Sequence, residues 1–382
     1  MLNDLTGIAE QPVSFIQYIA RIQFGFGAVA KLEDELDLLG VDKPMIITDA
    51  GVRAAGLLDL AIGEDARVNA APLFDRCPRE PSEEAALDAL SLYRESACNG
   101  IVAIGGGAVI DLAKAVALLA THEGPLERYS ADRGGSGLIE NHVAPLVAIP
   151  TTAGTGSEIG RGAGIAVAGG AAKLILLSVH LVPKVALFDP ALTMSAPPSV
   201  AAGAGIDALS HALEAFLSPA INPPVDAVAL DSIARIAKYL PLAIQNPDMR
   251  DARWQVMMGA LEGGMCFWKG LGAAHAMANP LDAYGLHHGT LVGMLLPHVL
   301  RFARAAGGPK IAALDALFGR PAEEALQELA DAIGLPRDLN SLGVPQADLR
   351  AIAEESASSV FNRTTIRPGT AEDYLTMLEA VY

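Results

Sequence analysis

Two pairs of residues in this 382-residue chain could bind a metal ion together. Asp207 and His211 lie four residues apart in a segment with helical spacing of its apolar residues, so both project from one helix face. His275 and His288 lie in a second apolar segment. One carboxylate and three imidazoles suit Zn²⁺ or Fe²⁺ better than Ca²⁺ or Mg²⁺. Histidines beside apolar helices are also common as ordinary core or surface residues, so the pattern alone leaves both interpretations open.

The composition limits the possible partners of the chain. It is 51% hydrophobic and carries a formal net charge of −17, which repels nucleic acids and anionic membranes. Residues 1–10 are acidic and do not resemble a signal peptide, and charged residues interrupt the longest apolar stretches. Cys77, Cys98 and Cys266 are few and widely spaced, as in a reducing cytosol. We expect a cytoplasmic protein that binds neither nucleic acid nor membrane.

Short apolar runs alternate with helical patterns in the first half of the chain, which predicts a doubly wound, mostly parallel, Rossmann-like α/β sheet. The apolar runs that we interpret as strands are residues 44–49, 100–105, 144–150 and 185–188, and the helical patterns are residues 81–95 and 109–120.

The pattern changes near Pro197 and Pro198, which mark a predicted domain boundary. Beyond them no segment has the features of a strand, so we expect an α/β domain over residues 1–196 and an all-helical domain over residues 197–382. The helical periodicity in this second half covers residues 200–216, 225–239, 252–267, 291–305, 321–333 and 371–381.

Gly105, Gly106 and Gly107 follow a predicted strand and precede a predicted helix. Glycines let the backbone turn sharply and approach a ligand, and a helix N-terminus attracts phosphate. The triplet fits neither the G-x-G-x-x-G dinucleotide fingerprint nor a Walker A loop. A plain tight turn between strand and helix is the structural alternative.

A second loop, TTAGTGSE at residues 151–158, follows the next predicted strand along the chain. Its hydroxyl side chains suit phosphate, ribose or nicotinamide contacts at the carboxyl ends of parallel strands. A polar surface turn is the structural alternative. The candidate ligand-binding residues in this loop are Thr151, Thr152, Thr155 and Ser157.

With these motifs assembled, the chain resembles the iron-containing, or group III, alcohol dehydrogenase family, which shares the fold of dehydroquinate synthase. The loop at residues 151–158 and the Asp-x3-His helix are specific to that family, and the resemblance extends from residue 24 to the C-terminal helix. It implies an enzyme in which a metal ion acts as a Lewis acid on an alcohol and NAD exchanges the hydride. It also implies a homodimer or a larger homo-oligomer.

The resemblance assigns roles to individual positions. Phe267 matches an aromatic residue of the substrate pocket. A carboxylate at Asp49 would accept hydrogen bonds from the adenosine ribose and repel a 2′-phosphate, which favours NAD over NADP. The implied metal ligands, for Fe²⁺ or Zn²⁺, are Asp207, His211, His275 and His288. The implied NAD-binding residues are Asp49, Gly105, Gly106, Gly107, Asp111, Thr151, Thr152, Thr155, Ser157 and Lys173, with Lys173 on the nicotinamide ribose.

The chain departs from the family pattern around the substrate pocket. Ala108 stands where the family usually has serine, and Asn279 stands at a catalytic position where it usually has a second histidine. Asparagine cannot exchange a proton at neutral pH, so a solvent-side group such as His287 would have to do so. The spacing to the last ligand is one residue short. Of the doublet His287 and His288, we favour His288 as the ligand because it precedes glycine.

The sequence therefore predicts a metal-dependent NAD(H) alcohol dehydrogenase that acts on a small alcohol, aldehyde or ketone. The alternatives on the same fold are a maleylacetate reductase-like enzyme or a lyase, and a third is NAD binding without catalysis. A substrate with several carboxylates or phosphates would need basic residues. Arg253, Lys269 and Arg363 are the candidates in the second half.

Overall fold

The computed structural model describes residues 20–167 and 173–382. The segment 1–10 that we interpreted as lacking a signal peptide lies outside the described residues. Six parallel strands form one sheet in the order β1-β8-β5-β4-β2-β3, and β6 pairs with β7 in an antiparallel hairpin. The predicted parallel α/β sheet is confirmed. The strands are β1 (Arg21–Phe24), β2 (Pro44–Ile47), β3 (Leu73–Phe74), β4 (Gly100–Gly105), β5 (Leu146–Pro150), β6 (Gly162–Ala166), β7 (Lys173–Leu177) and β8 (Val185–Phe188).

Helices cover both faces of the sheet in the first half and make up the second half, where no strand occurs in residues 189–382. The expected all-helical second half is confirmed, whereas its division from the first at residue 197 stays a prediction. The helices are α1 (Leu32–Leu39), α2 (Ala50–Ala54), α3 (Leu57–Ile62), α4 (Ala66–Asn69), α5 (Glu83–Glu95), α6 (Gly107–Leu119), α7 (Pro198–Leu217), α8 (Pro223–Gln245), α9 (Arg250–Met265), α10 (Ala273–Leu281), α11 (His288–Phe318, kinked at Gly308), α12 (Ala322–Ala332), α13 (Leu349–Ser358) and α14 (Ala371–Glu379).

Strands β1, β3 and the β6–β7 hairpin were not predicted. Strand β1 is an edge strand without a fully buried residue, and β3 has two residues. In the hairpin, Gly162 and Gly164 weaken the strand pattern of β6, and β7 alternates exposed with buried residues. These short, half-buried strands lack the continuous apolar run that marks a central parallel strand.

Helix α7 is the central helix of the second half and carries Asp207 and His211. Every residue from Ala202 to Leu217 is buried, and α8, α9 and α11 pack around it. Within the described part of the chain, it alone has the length and hydropathy of a membrane span, but 89% of that window is buried inside the molecule. The burial is that of a core helix. Phe188 of β8 packs against Met257 and Leu261 of α9, so an apolar cluster joins the sheet to this helical layer.

Candidate active site

The two predicted ligand-binding loops lie side by side because β4 and β5 are neighbours. Gly105 pairs with Pro150, and the Thr151 amide donates to the Gly105 carbonyl oxygen at 3.1 Å. A Cβ on Gly107 would lie 2.8 Å from Thr155 Cγ2, so a larger residue would displace the Thr155 side chain. The glycine turn precedes α6, where no side chain caps the helix N-terminus. This arrangement presents free backbone N–H groups beside the hydroxyls of the second loop.

Asp49 lies at the end of β2, on the same sheet edge as these loops. Its Oδ1 accepts a hydrogen bond from the Val52 amide at 2.8 Å and so caps α2. The cap holds the carboxylate in one orientation, because Asp at an N-cap fixes the first turn of a helix. Asp49 therefore caps α2, and its predicted contact with the adenosine ribose stays a prediction.

Asp111 lies behind the loops rather than on their open side. It is buried, and its Oδ2 accepts a hydrogen bond from the Gly164 amide at 3.0 Å, whereas its Oδ1 has no hydrogen-bond partner among the described residues. Burial raises the pKa of its carboxyl. Beside it, the buried Lys114 ammonium donates to the carbonyl oxygens of Gly160 at 2.9 Å and Gly162 at 2.6 Å. Asp111 thus fixes the hairpin against α6, and its predicted contact with the cofactor stays a prediction.

The four predicted metal ligands come together between α7, α10 and α11. Donor atoms of Asp207, His275 and His288 lie within 4.8 Å of one another. His211 Nε2 lies 3.4 Å from Asp207 Oδ1, and the His211 ring stacks on the His275 ring with centroids 5.0 Å apart. The fold therefore brings together the side chains of Asp207 and His275, which are 68 positions apart in the chain.

Three buried atoms of this cluster, Asp207 Oδ1, His211 Nδ1 and His275 Nε2, have no hydrogen-bond partner among the described residues. Buried polar atoms without partners are costly. Nitrogen and carboxylate oxygen atoms around one point are typical ligands of a divalent transition metal. The cluster therefore fits such an ion.

The charges of the cluster support this fit. Burial raises the pKa of the Asp207 carboxyl, but the surrounding imidazoles outweigh it and hold that pKa below its usual value. Burial lowers the pKa of His211 to about 4, so this ring is neutral at pH 7. Burial also disfavours the charged His275, but the neighbouring carboxylates of Asp207 and Glu214 raise its pKa to about 9. A metal ion that binds here would displace a proton from His275.

Glu214 is a functional residue that the sequence analysis missed. It is buried on α7, and its Oε2 accepts from His275 Nδ1 and from the Gly272 amide, both at 2.7 Å. The Ala274 amide donates to Oε1 at 2.6 Å. These bonds leave His275 Nε2 to face Asp207, as in the carboxylate–histidine–metal arrangements of many metalloproteins. Residues 207, 211 and 214 follow helical i, i+4, i+7 spacing, which is the signal that could have identified Glu214.

We expect Glu214→Gln to lower metal affinity by about 10- to 100-fold. The Gln amide cannot accept the hydrogen bonds that both carboxylate oxygens accept, so His275 would lose its fixed orientation. Competition with a chelator measures the affinity, and thermal unfolding of the metal-free protein measures any loss of stability separately. The matched control is Glu262→Gln. Glu262 is a half-buried carboxylate on α9 that pairs with Arg235 of α8. Unchanged metal affinity in Glu214→Gln would refute this role.

His288 is oriented by a second carboxylate. Its Nδ1 lies 3.0 Å from Asp282 Oδ1, and Lys173 Nζ donates to Asp282 Oδ2 at 2.9 Å. Lys173 also lies 3.4 Å from Glu80. Burial raises the pKa of the Asp282 carboxyl, but His288 and Lys173 outweigh it and lower that pKa. Lys173, predicted to bind the nicotinamide ribose, thus forms an ion pair with a carboxylate that holds a candidate metal ligand.

The other residues predicted around the pocket lie near the cluster. His287 Nδ1 accepts from the Thr290 amide at 3.4 Å as the N-cap of α11, and the choice of His288 over His287 as the ligand stays a prediction. Asn279 is exposed on α10, one turn after His275. The Phe267 ring meets the His211 ring edge-on, with centroids 4.6 Å apart, and so borders the ligand cluster.

Two family models match almost the whole chain. The model described as "Iron-containing alcohol dehydrogenase" matches residues 20–190, and the one described as "Fe-containing alcohol dehydrogenase family, C-terminal" matches residues 201–382. A 4-hydroxybutyrate dehydrogenase of Cupriavidus necator is 39% identical over 96% of this chain and 99% of its own length.

Solved structures show the same similarity. A 1,3-propanediol oxidoreductase superposes with a TM-score of 0.91 at 30% identity, over 96% of this chain and 100% of that one. A sulfoacetaldehyde reductase of Bifidobacterium kashiwanohense, in complex with NAD⁺, has a TM-score of 0.88 at 25% identity, over 97% and 99%. The chain therefore belongs to the iron-containing alcohol dehydrogenase family and is an oxidoreductase that acts on CH–OH groups.

Proposed function

We propose that this enzyme is a metal- and NAD-dependent dehydrogenase that interconverts the terminal alcohol and aldehyde of a short ω-hydroxy acid such as 4-hydroxybutyrate. The cluster of Asp207, His275 and His288 is the observation that carries the proposal. The substrate class is supported by the 4-hydroxybutyrate dehydrogenase that resembles the chain over nearly its full length. The NAD⁺-bound structure that superposes on it supports the cofactor.

Asp207, His211, His275 and His288 would hold the metal, which we propose to be Fe²⁺ in view of the family. When bound, the ion supplies Lewis acidity toward the substrate oxygen, and NAD supplies the hydride acceptor. Glu214 and Asp282 orient His275 and His288 through their Nδ1 atoms. His288, rather than His287, is the fourth ligand in this proposal because His287 caps α11.

NAD would lie along the sheet edge formed by β2, β4 and β5. The amides at the start of α6 and the hydroxyls of Thr151, Thr152, Thr155 and Ser157 would bind its phosphates and riboses. Gly105, Gly106 and Gly107 leave room for the pyrophosphate. Asp49 would accept hydrogen bonds from the adenosine ribose and disfavour NADP by charge repulsion. The aromatic ring of Phe267 would exclude water from the reacting carbon beside His211.

The proton of the alcohol needs a route to solvent. Asn279 is exposed but has no proton to exchange at neutral pH. His287 is half-buried next to the cluster, and burial lowers its pKa, so it is neutral at pH 7 and can accept a proton. We assign it the role of proton carrier between the site and bulk water.

The maleylacetate reductase-like alternative has little support from the candidate basic residues. Lys269 is buried and paired with Asp226. The Arg253 Nε donates to the Pro247 carbonyl oxygen at 3.3 Å, in a different part of the helical half. Arg363 is exposed. None of the three forms a hydrogen bond or an ion pair with a residue of the ligand cluster, so they would not neutralise a substrate with several negative charges there.

We further propose that the enzyme is cytoplasmic and works as a homodimer or larger homo-oligomer. Its acidity and its few cysteines, which form no disulfides among the described residues, support the first proposal. The family supports the second.

Metal analysis with a matched activity assay tests the proposed function. We expect protein purified without oxygen to contain close to one Fe or Zn per chain and to reduce NAD with 4-hydroxybutyrate. Chelation should abolish turnover, and the same metal should restore it. Turnover that is unaffected by chelation, or no turnover with any primary alcohol, would refute the proposal.

A further inference from the structure

We propose that Phe361, together with Phe267, forms an aromatic wall at the entrance to the ligand cluster and restricts the enzyme to substrates that are unbranched next to the reacting carbon. This inference rests on the proposed function. Phe267 was predicted to line the substrate pocket, whereas Phe361 was not a candidate from the sequence. It lies close to the C-terminus, in the segment between α13 and α14.

Each of the two phenyl rings meets an imidazole of the cluster. The Phe267 ring lies edge-on to the His211 ring, with centroids 4.6 Å apart. The Phe361 ring lies edge-on to the His275 ring, with centroids 6.2 Å apart and an angle of 67° between the planes. The two imidazoles stack on each other at 5.0 Å. The phenyl rings therefore border two neighbouring members of the ligand cluster.

The cluster is open to solvent where these rings lie. The side chains of His211 and His275 are 4% and 3% exposed, whereas that of His288 is 32% exposed. The His288 ring lies 5.3 Å from the His275 ring. Both phenylalanines are half-buried, whereas α7 is buried from Ala202 to Leu217. A substrate therefore reaches the cluster beside His288 and the phenyl rings, and not through α7.

A buried asparagine fixes the backbone that carries Phe361. The Asn362 Nδ2 donates to the carbonyl oxygens of Ala357 and Gly369, both at 2.9 Å. Its Oδ1 accepts from the Gly369 amide and the Tyr374 hydroxyl, both at 2.8 Å. These four hydrogen bonds satisfy both donors and both lone pairs of the amide. The position of Phe361 is therefore set by the fold, although no long helix or strand contains it.

Thr364 connects the same segment to α10, which carries His275. Its Oγ1 donates to the carbonyl oxygen of Leu271, two residues before this helix begins. The Thr364 amide donates to the Phe361 carbonyl oxygen at 3.1 Å. A Cβ on Gly270 would lie 2.8 Å from Thr364 Cβ, so the two segments are in close contact. These contacts restrict the movement of Phe361 relative to His275.

Fixed aromatic rings select a substrate by its shape. They offer a large apolar surface to a methylene chain. A close-packed wall does not yield to an added group, so a methyl branch beside the reacting carbon would have to displace a ring. One methyl or methylene group in an apolar pocket changes kcat/KM by about 10- to 200-fold. Unbranched 4-hydroxybutyrate carries no such group.

A comparison of two acids on the metal-loaded enzyme tests this role of Phe361. We expect the wild type to have a kcat/KM about 10-fold or more higher for 4-hydroxybutyrate than for 4-hydroxy-3-methylbutyrate. In Phe361→Ala, the ratio of the branched to the unbranched acid should rise by about 10-fold, whereas metal content and the KM for NAD should not change. Phe361→Trp should lower the ratio, and this variant decides the question if the alanine variant does not fold.

Phe318→Ala is the matched control. Both phenylalanines are partly buried and pack against the helical core, but Phe318 lies at the far end of α11, the helix that begins with His288. We expect the ratio in this variant to equal that of the wild type. An unchanged ratio in Phe361→Ala, a rise in Phe318→Ala, or equal oxidation of both acids by the wild type would each overturn the inference and leave the proposed function intact. Oxidation of neither acid would refute the proposed function itself.

Discussion

Asp207→Ala is expected to remove the metal and to lower turnover by at least about 10³-fold, because a Lewis-acid metal contributes several kcal/mol to the transition state. Asp207 is the one anion at the centre of the cluster, within 3.4 Å of His211 Nε2 and 3.6 Å of His275 Nε2. Without Asp207, the three imidazoles would have to bind the ion without an anionic ligand. Any ring that is protonated would repel the ion. Elemental analysis of the purified variant and steady-state NAD reduction measure both effects.

Asp251→Asn is the control for this substitution, since Asp251 is an exposed carboxylate at the start of α9. NAD affinity, measured by fluorescence titration, should be the same in Asp207→Ala and in the metal-free wild type because the cofactor loops lie on the sheet. Full metal content together with normal turnover in Asp207→Ala would show that Asp207 is not a ligand.

Gly289→Ala is expected to destabilise the enzyme by about 1–3 kcal/mol and to abolish metal binding. Helices α7 and α11 are in close contact at this residue. A Cβ there would lie 2.1 Å from the Gly203 carbonyl oxygen and 2.8 Å from Asp207 Cβ. The first of these atoms belongs to the helix backbone and cannot move alone. The two helices would have to separate, which would draw His288 away from Asp207.

Thermal unfolding in the presence of a chelator measures the loss of stability, and elemental analysis measures the loss of metal. Gly137→Ala provides the matched control, because a Cβ on Gly137 would have no neighbour within 4 Å and the residue has no positive φ. If Gly289→Ala keeps its metal and its melting temperature, the close approach of α7 and α11 is not what positions His288.

Much of the fold could be predicted because its signals are local. The strands at residues 100–105 and 185–188 are continuous apolar runs, and α7 repeats apolar residues at helical spacing over 20 residues. Strand β1 could not be predicted in this way. It has no fully buried residue, and it is a strand because β8, far along the chain, pairs with it. Such pairing leaves no periodicity in the segment itself.

The residues of the site also differ in whether local sequence patterns could predict them. The Asp207 and His211 pair could be predicted because one helix turn brings the two residues together. Asp282 could not, because its role depends on Lys173, 109 residues earlier in the chain, and on the turn that brings it to His288. Residue type shows which chemistry is available, whereas these long-range contacts decide which groups take part.

The ion pair between Lys173 and Asp282 has a thermodynamic consequence. Lys173 lies on the hairpin, at a position assigned to the cofactor, and Asp282 lies against His288. A dinucleotide that draws Lys173 toward its ribose would weaken the ion pair of Lys173 with Asp282. The hydrogen bond between Asp282 and His288 would change in turn, and with it the affinity of His288 for a metal ion. Binding equilibria linked in this way are reciprocal: the factor by which the metal changes the affinity for NAD is the factor by which NAD changes the affinity for the metal. The resting enzyme and its NAD complex would therefore bind the metal with different affinities.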